Sequence, residues 1–279
     1  MVKRLAPCLA LALAACTAAP AQPAGRGQQG RGPTFVSLNP CTDAILAEVA
    51  DPDQILGLSA YSSDPAASSM DVARARHFPA LAGTVEEVAA LSPKVVLGGT
   101  FMAPATVGAL GRLGFRLEQF GMAPTVGESE AQVRRLAALT GHPARGEALV
   151  ARIEAALAAN RAPAGAAVPA VVWQSGGIVP GADTLISDLL TRTGFSNAAA
   201  ARGMKQADVL PLEAMLASPP RVIFTAGNPA VNEDRLLAHP ALASLKTTRR
   251  AALSPALLWC GGPTIVRAAE RLGAVRRSL

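Results

Sequence analysis

Short runs of apolar, β-branched residues alternate with longer helical segments along this chain, and the alternation occurs twice. The first series runs from TFVSL at 34–38 to a helix that stops at Gly141, and the second begins with AVVWQ at 170–174. A long amphipathic segment, 143–161, lies between them. Strands and helices in alternating order form a mostly parallel sheet with helices on both faces. The sequence therefore predicts an α/β protein with two such units joined by one long helix.

The predicted organisation has five parts, of which the first two precede the folded region. The tether is rich in Ala, Pro, Gly and Gln and has no apolar period, as is typical of flexible linkers. The parts are a signal peptide (1–15), a flexible tether (16–33), an N-terminal α/β lobe (34–141), an interlobe helix (142–163) and a C-terminal α/β lobe (164–279).

The first residues resemble an export signal. Lys3 and Arg4 precede an apolar run, and small residues follow it. The run ends in LAAC (13–16), which resembles the lipobox of bacterial lipoproteins, where the cysteine is acylated after cleavage. Acyl chains on Cys16 would anchor the protein at a membrane surface. Ordinary cleavage after Ala21 is the alternative, and both interpretations export the protein.

Composition excludes several classes of protein. Half of the residues are apolar and 16% are charged, which is not the composition of a disordered chain. No apolar run reaches the ~20 residues that a membrane-spanning helix needs. The formal net charge of +6 falls to +4 without Lys3 and Arg4. Since no basic run is interleaved with aromatic residues, nucleic acid is not an expected partner.

Two similar segments indicate that the lobes are related. They are EEVAALSPKVVL at 86–97 and EAMLASPPRVIF at 213–224. In each, a glutamate opens a short helix and a proline follows seven residues later, just before a buried strand. An acidic residue in a first helical turn also favours the helix dipole, so a capping role is the alternative for each glutamate.

The order and spacing of several stretches resemble the periplasmic binding proteins of the iron-chelate and cobalamin class, which supply ABC importers. The resemblance covers residues 34–275 and implies the class III fold, with two Rossmann-like lobes joined by a single helix and the ligand between them. The stretches are FVSLNPCTD (35–43), ILGLSAYSSDP (55–65), GTVEEVAALSPKVVL (83–97), LGRLGF (110–115), VVWQSGG (171–177), LISDLLTRTGFSN (185–197), PLEAMLASPPRVIF (211–224) and LWCGGP (258–263).

The resemblance also assigns a docking role to two glutamates. In this class one surface glutamate of each lobe docks onto arginines of the membrane permease. The matching positions are Glu86 and Glu213, and Glu87 is the neighbouring alternative for the first. A charge pair on each lobe would fix the orientation of docking.

Candidate ligand residues follow the predicted strands, because open α/β sheets bind ligands at the carboxyl ends of their strands. The only tyrosine and both tryptophans fall at these positions, and a large flat ligand needs apolar faces. A core position is the alternative for each tryptophan. The candidates are Asn39, Pro40, Cys41, Tyr61, Ser62, Thr100 and Phe101 in the first lobe, and Trp173, Gln174, Ser175, Trp259 and Cys260 in the second.

Cys41 and Cys260 leave three alternatives open. The exported compartment is oxidising and permits a disulfide, which here would join the two lobes. Two free buried thiols, or thiol contact with the ligand, are the other possibilities.

The resemblance implies a ligand that is a metal chelate, namely a ferric siderophore, cobalamin or haem. For haem, Tyr61 would supply an axial oxygen. The three histidines are scattered and form no metal cluster, so neither a resident cofactor nor a bound metal ion is expected.

The sequence thus predicts a monomeric binding protein of the periplasm, anchored to a membrane by lipid, that captures the chelate and delivers it to an ABC permease. It is not expected to be an enzyme. A ligand-binding protein of a sensor or surface assembly is the first alternative. A nitrogenase-like oxidoreductase is disfavoured, because only two cysteines remain in the folded region for metal clusters.

Overall fold

A computed structural model describes residues 32–162, 165–227, 235–237 and 239–279. The predicted signal peptide, Cys16 and all but the last two residues of the predicted tether lie outside these ranges. The strands are β1 (Phe35–Ser37), β2 (Ile55–Ser59), β3 (Ala80–Leu81), β4 (Val95–Gly99), β5 (Arg116–Phe120), β6 (Val168–Gln174), β7 (Ile178–Pro180), β8 (Phe195–Asn197), β9 (Ala207–Val209), β10 (Val222–Ala226) and β11 (Arg249–Ala252). The helices are α1 (Pro40–Val49), α2 (Val72–Ala75), α3 (Val85–Leu91), α4 (Pro104–Arg112), α5 (Val126–Thr140), α6 (Pro143–Ala159), α7 (Leu185–Arg192), α8 (Leu212–Ala217), α9 (Pro240–Ala243) and α10 (Thr264–Arg277).

Two parallel sheets, one from each half of the chain, organise the fold. The first has the order β3-β2-β1-β4-β5 and the second the order β11-β10-β6-β8. The first sheet contains the run β2-β1-β4-β5, and the second contains the run β8-β6-β10-β11. In both runs the strand that is second in the chain lies at the start, followed by the first, third and fourth. The units α3–β4 and α8–β10 therefore occupy equivalent positions. These are the two segments whose similarity indicated related halves. Among the described strands only the β7–β9 pair is antiparallel, so the predicted α/β class with mostly parallel sheets is confirmed.

Local sequence explains where the helices near the sheet edges begin and end. The side chain of Asn39 caps α1 by accepting a hydrogen bond of 2.8 Å from the amide of Cys41. Pro40 is the first helical residue, where no N–H is needed. Gly141 ends α5 in the left-handed region, with a φ of 82°. Only His142 separates that glycine from α6, so α5 and α6 pack directly against each other.

Burial alternates along the central strands, so both faces of each sheet are covered. In β6, Ala170 and Val172 belong to the main core, whereas Val171 and Trp173 belong to a second core. Val95 and Leu97 of β4 lie in the main core, and Val96 lies in a third. This is the reason that these strands are almost continuously apolar.

The main core extends across both halves of the chain. It contains residues of both sheets and of α1, α5, α6, α7 and α10, and Gly32–Leu279 is one compact unit. The predicted interlobe helix is α6, which is shorter than predicted because it ends at Ala159. Further contacts join the halves, since Asp188 of α7 accepts a hydrogen bond of 2.8 Å from the amide of Val126 in α5. The division into lobes at 141 and 164 stays a prediction.

Candidate functional site

The carboxyl ends of β2, β1, β4 and β5 lie side by side, because these strands are neighbours in the first sheet. The loops that follow them form what we call the first-sheet rim, residues 39–41, 60–62, 99–101 and 121–122. Hydrogen bonds link its parts: the amide of Thr100 donates to the carbonyl of Phe120 (3.2 Å). The Gln119 side chain donates to the carbonyl of Gly99 (3.1 Å). The loop after β4 is therefore fixed to the end of β5.

Large apolar side chains are exposed on this rim. Phe101 is 82% exposed, and Tyr61 and Met122 are each 65% exposed. Apolar groups that stay in water at one place mark a surface that binds a partner or ligand. Phe101 and Tyr61 are among the predicted ligand residues. Met122 is not, although it follows the end of β5 much as Phe101 follows β4.

A buried carboxyl group holds the turn that carries Tyr61. That turn is a short 3-10 helix, Ala60–Ser63. The Oδ2 atom of Asp43, in α1, accepts hydrogen bonds from the amide of Ser59 (3.0 Å) and the hydroxyl of Ser62 (2.6 Å). Burial raises the pKa of Asp43 to about 8, although these hydrogen bonds oppose the change. Ser62, one of the predicted ligand residues, is fully buried and thus supports the rim from beneath.

The other predicted residues of the first half lie at the start of α1 or on the next loop. Asn39 and Pro40 are half-buried, and Asn39 serves as the helix cap. Thr100 is exposed beside Phe101. These positions leave Thr100 free to contact a ligand, whereas Asn39 already has a structural role.

Cys41 and Cys260 form a disulfide, with their Cα atoms 4.9 Å apart. Of the three alternatives that the sequence left open, this is the one found in the structure. Cys260 belongs to the segment between β11 and α10, so the bond attaches that segment to the first-sheet rim. Trp259, the adjoining residue, is 61% exposed. An exposed aromatic residue of the second half is therefore held beside the rim.

Trp173 occupies the core position that was the alternative to ligand contact. It is fully buried, because it shares a face of β6 with Val171 and packs in the second core. Its Nε1 atom has no hydrogen-bond partner among the described residues. Trp173 therefore does not line the surface, and its prediction as a surface ligand residue is corrected. Gln174 and Ser175 are half-buried at the end of the same strand.

The two predicted docking glutamates are exposed in the first turns of α3 and α8. Within the described chain, neither Glu86 nor Glu213 has a hydrogen-bond or ion-pair partner. Glu87 differs, because its carboxylate accepts hydrogen bonds from the amides of residues 82–84. These bonds, that of Thr84 first, lower the pKa of Glu87. Glu87 thus completes the capping box of α3, whose N-cap is Thr84, and Glu86 is the unengaged glutamate of the pair.

One cavity, of about 520 Å³, lies away from the rim among α1, α6 and α10. On its wall Glu48 is paired with both Arg74 and Arg152, so these charged groups already bind one another. In the described part of the chain, no group of three or more His, Cys, Asp or Glu side chains could hold a metal ion. The exposed aromatic residues make the first-sheet rim the candidate site.

A sequence profile of the family described as "Periplasmic binding protein" matches residues 35–252. The chain belongs to this family. It is therefore a binding protein rather than an enzyme, and the predicted resemblance is confirmed. No curated protein sequence matches the chain. None of the helices described here is long and apolar enough to cross a membrane.

Three of the solved structures that match this chain illustrate the shared fold. The apo form of periplasmic heme-binding protein RhuT from Roseiflexus sp. RS-1 has a TM-score of 0.73 at 24% identity, over 88% of this chain and 98% of that chain. A periplasmic heme-binding protein from Pseudomonas aeruginosa has a TM-score of 0.66 at 24% identity, over 87% and 91%. The periplasmic vitamin B12 binding protein BtuF of Vibrio cholerae has a TM-score of 0.67 at 18% identity, over 89% and 98%. The class III fold is confirmed.

Proposed function

We propose that the protein captures a metal chelate at the first-sheet rim and delivers it to an ABC permease. The observation that carries the proposal is the set of exposed rings on one supported rim: Tyr61, Phe101 and, through the disulfide, Trp259. Flat macrocycles are bound by apolar and aromatic surfaces with few polar groups. The rim has this character.

Haem is the first candidate for the cargo. Tyr61 is exposed, and its hydroxyl has no hydrogen-bond partner among the described residues, so its oxygen is free to meet a metal. A tyrosine oxygen is one of the side-chain groups that hold haem iron in proteins. Two of the similar structures are named as heme-binding proteins, which agrees with this choice.

Cobalamin is the second candidate, because it is also large and partly apolar, and one similar structure is named as a vitamin B12 binder. It needs apolar contact from Phe101, Met122 and Trp259 more than an axial ligand. A ferric siderophore has less support. An anionic chelate would need cations, and the residues of the rim include no lysine or arginine.

Absorbance titration of the full chain with haemin tests the proposal. We expect one haemin per chain, and we expect Tyr61→Phe to weaken binding at least tenfold and to change the absorption spectrum of the bound haem. Phe101→Ala should weaken binding without loss of folding. Leu113→Ala is the matched control, since Leu113 is 57% exposed but lies at the end of α4, near the amino end of β5. Wild-type affinity in both rim variants would overturn the assignment.

Delivery to a permease is proposed from Glu86 and Glu213. They are free carboxylates at equivalent places in the two halves, and exposed charges of this kind orient and speed docking. The charge-reversed variant E86K/E213K should bind cargo normally but fail in cellular uptake. Glu128→Lys is the control, because Glu128 is exposed in the first turn of α5. Undiminished uptake in E86K/E213K would favour the sensor or surface-assembly alternative.

Acylation of Cys16 and anchoring in the periplasm are proposed from the LAAC sequence at 13–16. The variant Cys16→Ala should leave the membrane fraction of expressing cells, and its mature mass should lack the acyl chains. If the wild type also carries no acyl chains, cleavage after Ala21 is the correct interpretation.

A further inference from the structure

The segment that carries Trp259 is weakly held by its own backbone. It begins after β11, where the amide of Leu253 donates to the carbonyl of Thr225 (2.9 Å). The amides of Leu257 and Leu258 donate to carbonyls of residues 254 and 255 (3.0 Å each), and both leucines pack against the main core. The amide of Gly262 then donates to the hydroxyl of Ser129 in α5 (2.7 Å). Between these points, the amides of residues 259–261 have no acceptor among the described residues. Beyond Leu258, therefore, backbone hydrogen bonds do not hold Trp259 in place.

The disulfide supplies that fixed point. Cys41 lies in the first turn of α1, where Asn39 and Pro40 define the start of the helix, so the Cys41 end of the bond is rigid. Cys260 is buried and Cys41 is half-buried. The bond thus joins the residue next to Trp259 to the rim position at the end of β1, in the middle of the first sheet.

Glycines allow the segment to come this close. A Cβ atom on Gly261 would lie 2.1 Å from the hydroxyl oxygen of Ser129, and one on Gly262 would lie 2.6 Å from Cγ1 of Ile45. The close approach of Gly261 and Gly262 to Ser129 and Ile45 therefore lies directly beside the disulfide of Cys260. The ligand surface is assembled from both halves of the chain at this point.

We propose that Cys41 and Cys260 are positioning residues whose disulfide holds Trp259 at the ligand surface, so that affinity for the cargo depends on the oxidation state of this bond. The proposal rests on the proposed function. Reduction by a dithiol breaks the S–S bond: two electrons and two protons from the dithiol give the Cys41 and Cys260 thiols, and the dithiol becomes a disulfide. In the reduced protein, residues 259–261 lose the covalent attachment to α1 and are held by the core packing of Leu257 and Leu258 on one side and by Gly262 on the other.

The binding experiment compares oxidised full-chain protein with protein reduced by a dithiol and desalted under nitrogen, using haemin as the probe. Ordering a large side chain contributes on the order of a tenfold change in affinity, so we expect about tenfold weaker binding after reduction and in C41S/C260S. Trp259→Ala should weaken binding by a similar factor and abolish the response to reduction. Equal affinity in both redox states overturns the proposal. So does a Trp259→Ala protein that still responds to reduction.

A measurement without cargo separates this proposal from the proposed function. Trp173 is fully buried and Trp259 is 61% exposed, so iodide quenching of tryptophan emission reports on Trp259. We expect reduction to raise the quenching constant. An unchanged constant means that the disulfide does not position Trp259. If the constant rises but haemin fails to bind the oxidised protein, the proposed function is wrong and the positioning role stands.

Discussion

Replacing Asp43 by asparagine should flatten the pH dependence of stability. The carboxyl group of Asp43 is fully buried, its Oδ1 has no hydrogen-bond partner in the described chain, and burial raises its pKa from 3.8 to about 8. Between these two values the native protein keeps a proton that the unfolded chain releases. The free energy of unfolding therefore falls as the pH rises through this range, and the stability present at acid pH is lost by about pH 8.

The size of this change in stability follows from the single proton that the native protein keeps and the unfolded chain releases. Each pH unit in this window removes about 1.4 kcal/mol from the free energy of unfolding. Between about pH 5.5 and pH 7.5 the wild type should thus lose about 3 kcal/mol through Asp43, and D43N should not. The asparagine oxygen can still accept from Ser59 and Ser62. Urea unfolding, followed by circular dichroism at several pH values, measures the free energy of unfolding of both proteins. The contributions of the histidines cancel in the difference between these two free energies.

Glu118→Gln is the matched control for this experiment. Hydrogen bonds from Arg116 and then Arg135 lower the pKa of Glu118, so its contribution to stability is lost only in acid, below the window used. E118Q should therefore run parallel to the wild type. If D43N also runs parallel, within about 0.5 kcal/mol, Asp43 is ionised in the native protein and the reasoning from burial is refuted.

Two pairs of substitutions test local assignments by urea unfolding. Glu87→Ala should lower the urea midpoint because it removes the Glu87 half of the capping box of α3, and Glu86→Ala should leave the midpoint almost unchanged; equal midpoints in the two variants would contradict their separate roles. Gly262→Ala should cost about 2–4 kcal/mol, because φ is 59° and the new Cβ would lie 2.6 Å from Cγ1 of Ile45. Gly203→Ala, with a φ of 82° and no atom within 4 Å, should cost about 1 kcal/mol. A cost at Gly262 no greater than at Gly203 would show that Ile45 moves aside.

The central strands could be predicted because both of their faces are buried. Residues 34–38, 94–97 and 170–174 are nearly continuous apolar runs, as strands of covered parallel sheets are. β11 could not be predicted in this way. It begins with Arg249 and Arg250 at the sheet edge, and only its pairing with β10 makes it a strand.

The rim residues were predictable because their positions follow from the strand ends, whereas their roles depend on tertiary packing. Trp173 lies one residue before the end of β6, on the face that packs inward, so proximity to the strand end was misleading. Asp43 looks like an ordinary acidic residue in the first turn of a helix. It supports the Tyr61 turn through hydrogen bonds from Ser59 of β2 and from Ser62. These tertiary contacts cannot be predicted from the sequence of α1.

The most direct test of the central claim is an equilibrium titration of the full chain that follows the emission of Trp259, with haemin, cobalamin and a ferric siderophore as separate probes. The account predicts saturable quenching by haemin at one molecule per chain, with a Kd below about 1 µM, equivalent to about 8 kcal/mol of binding free energy. Phe101→Ala should weaken this binding and Leu113→Ala should not. Failure of all three probes to give saturable binding would contradict the claim that the first-sheet rim captures a metal chelate.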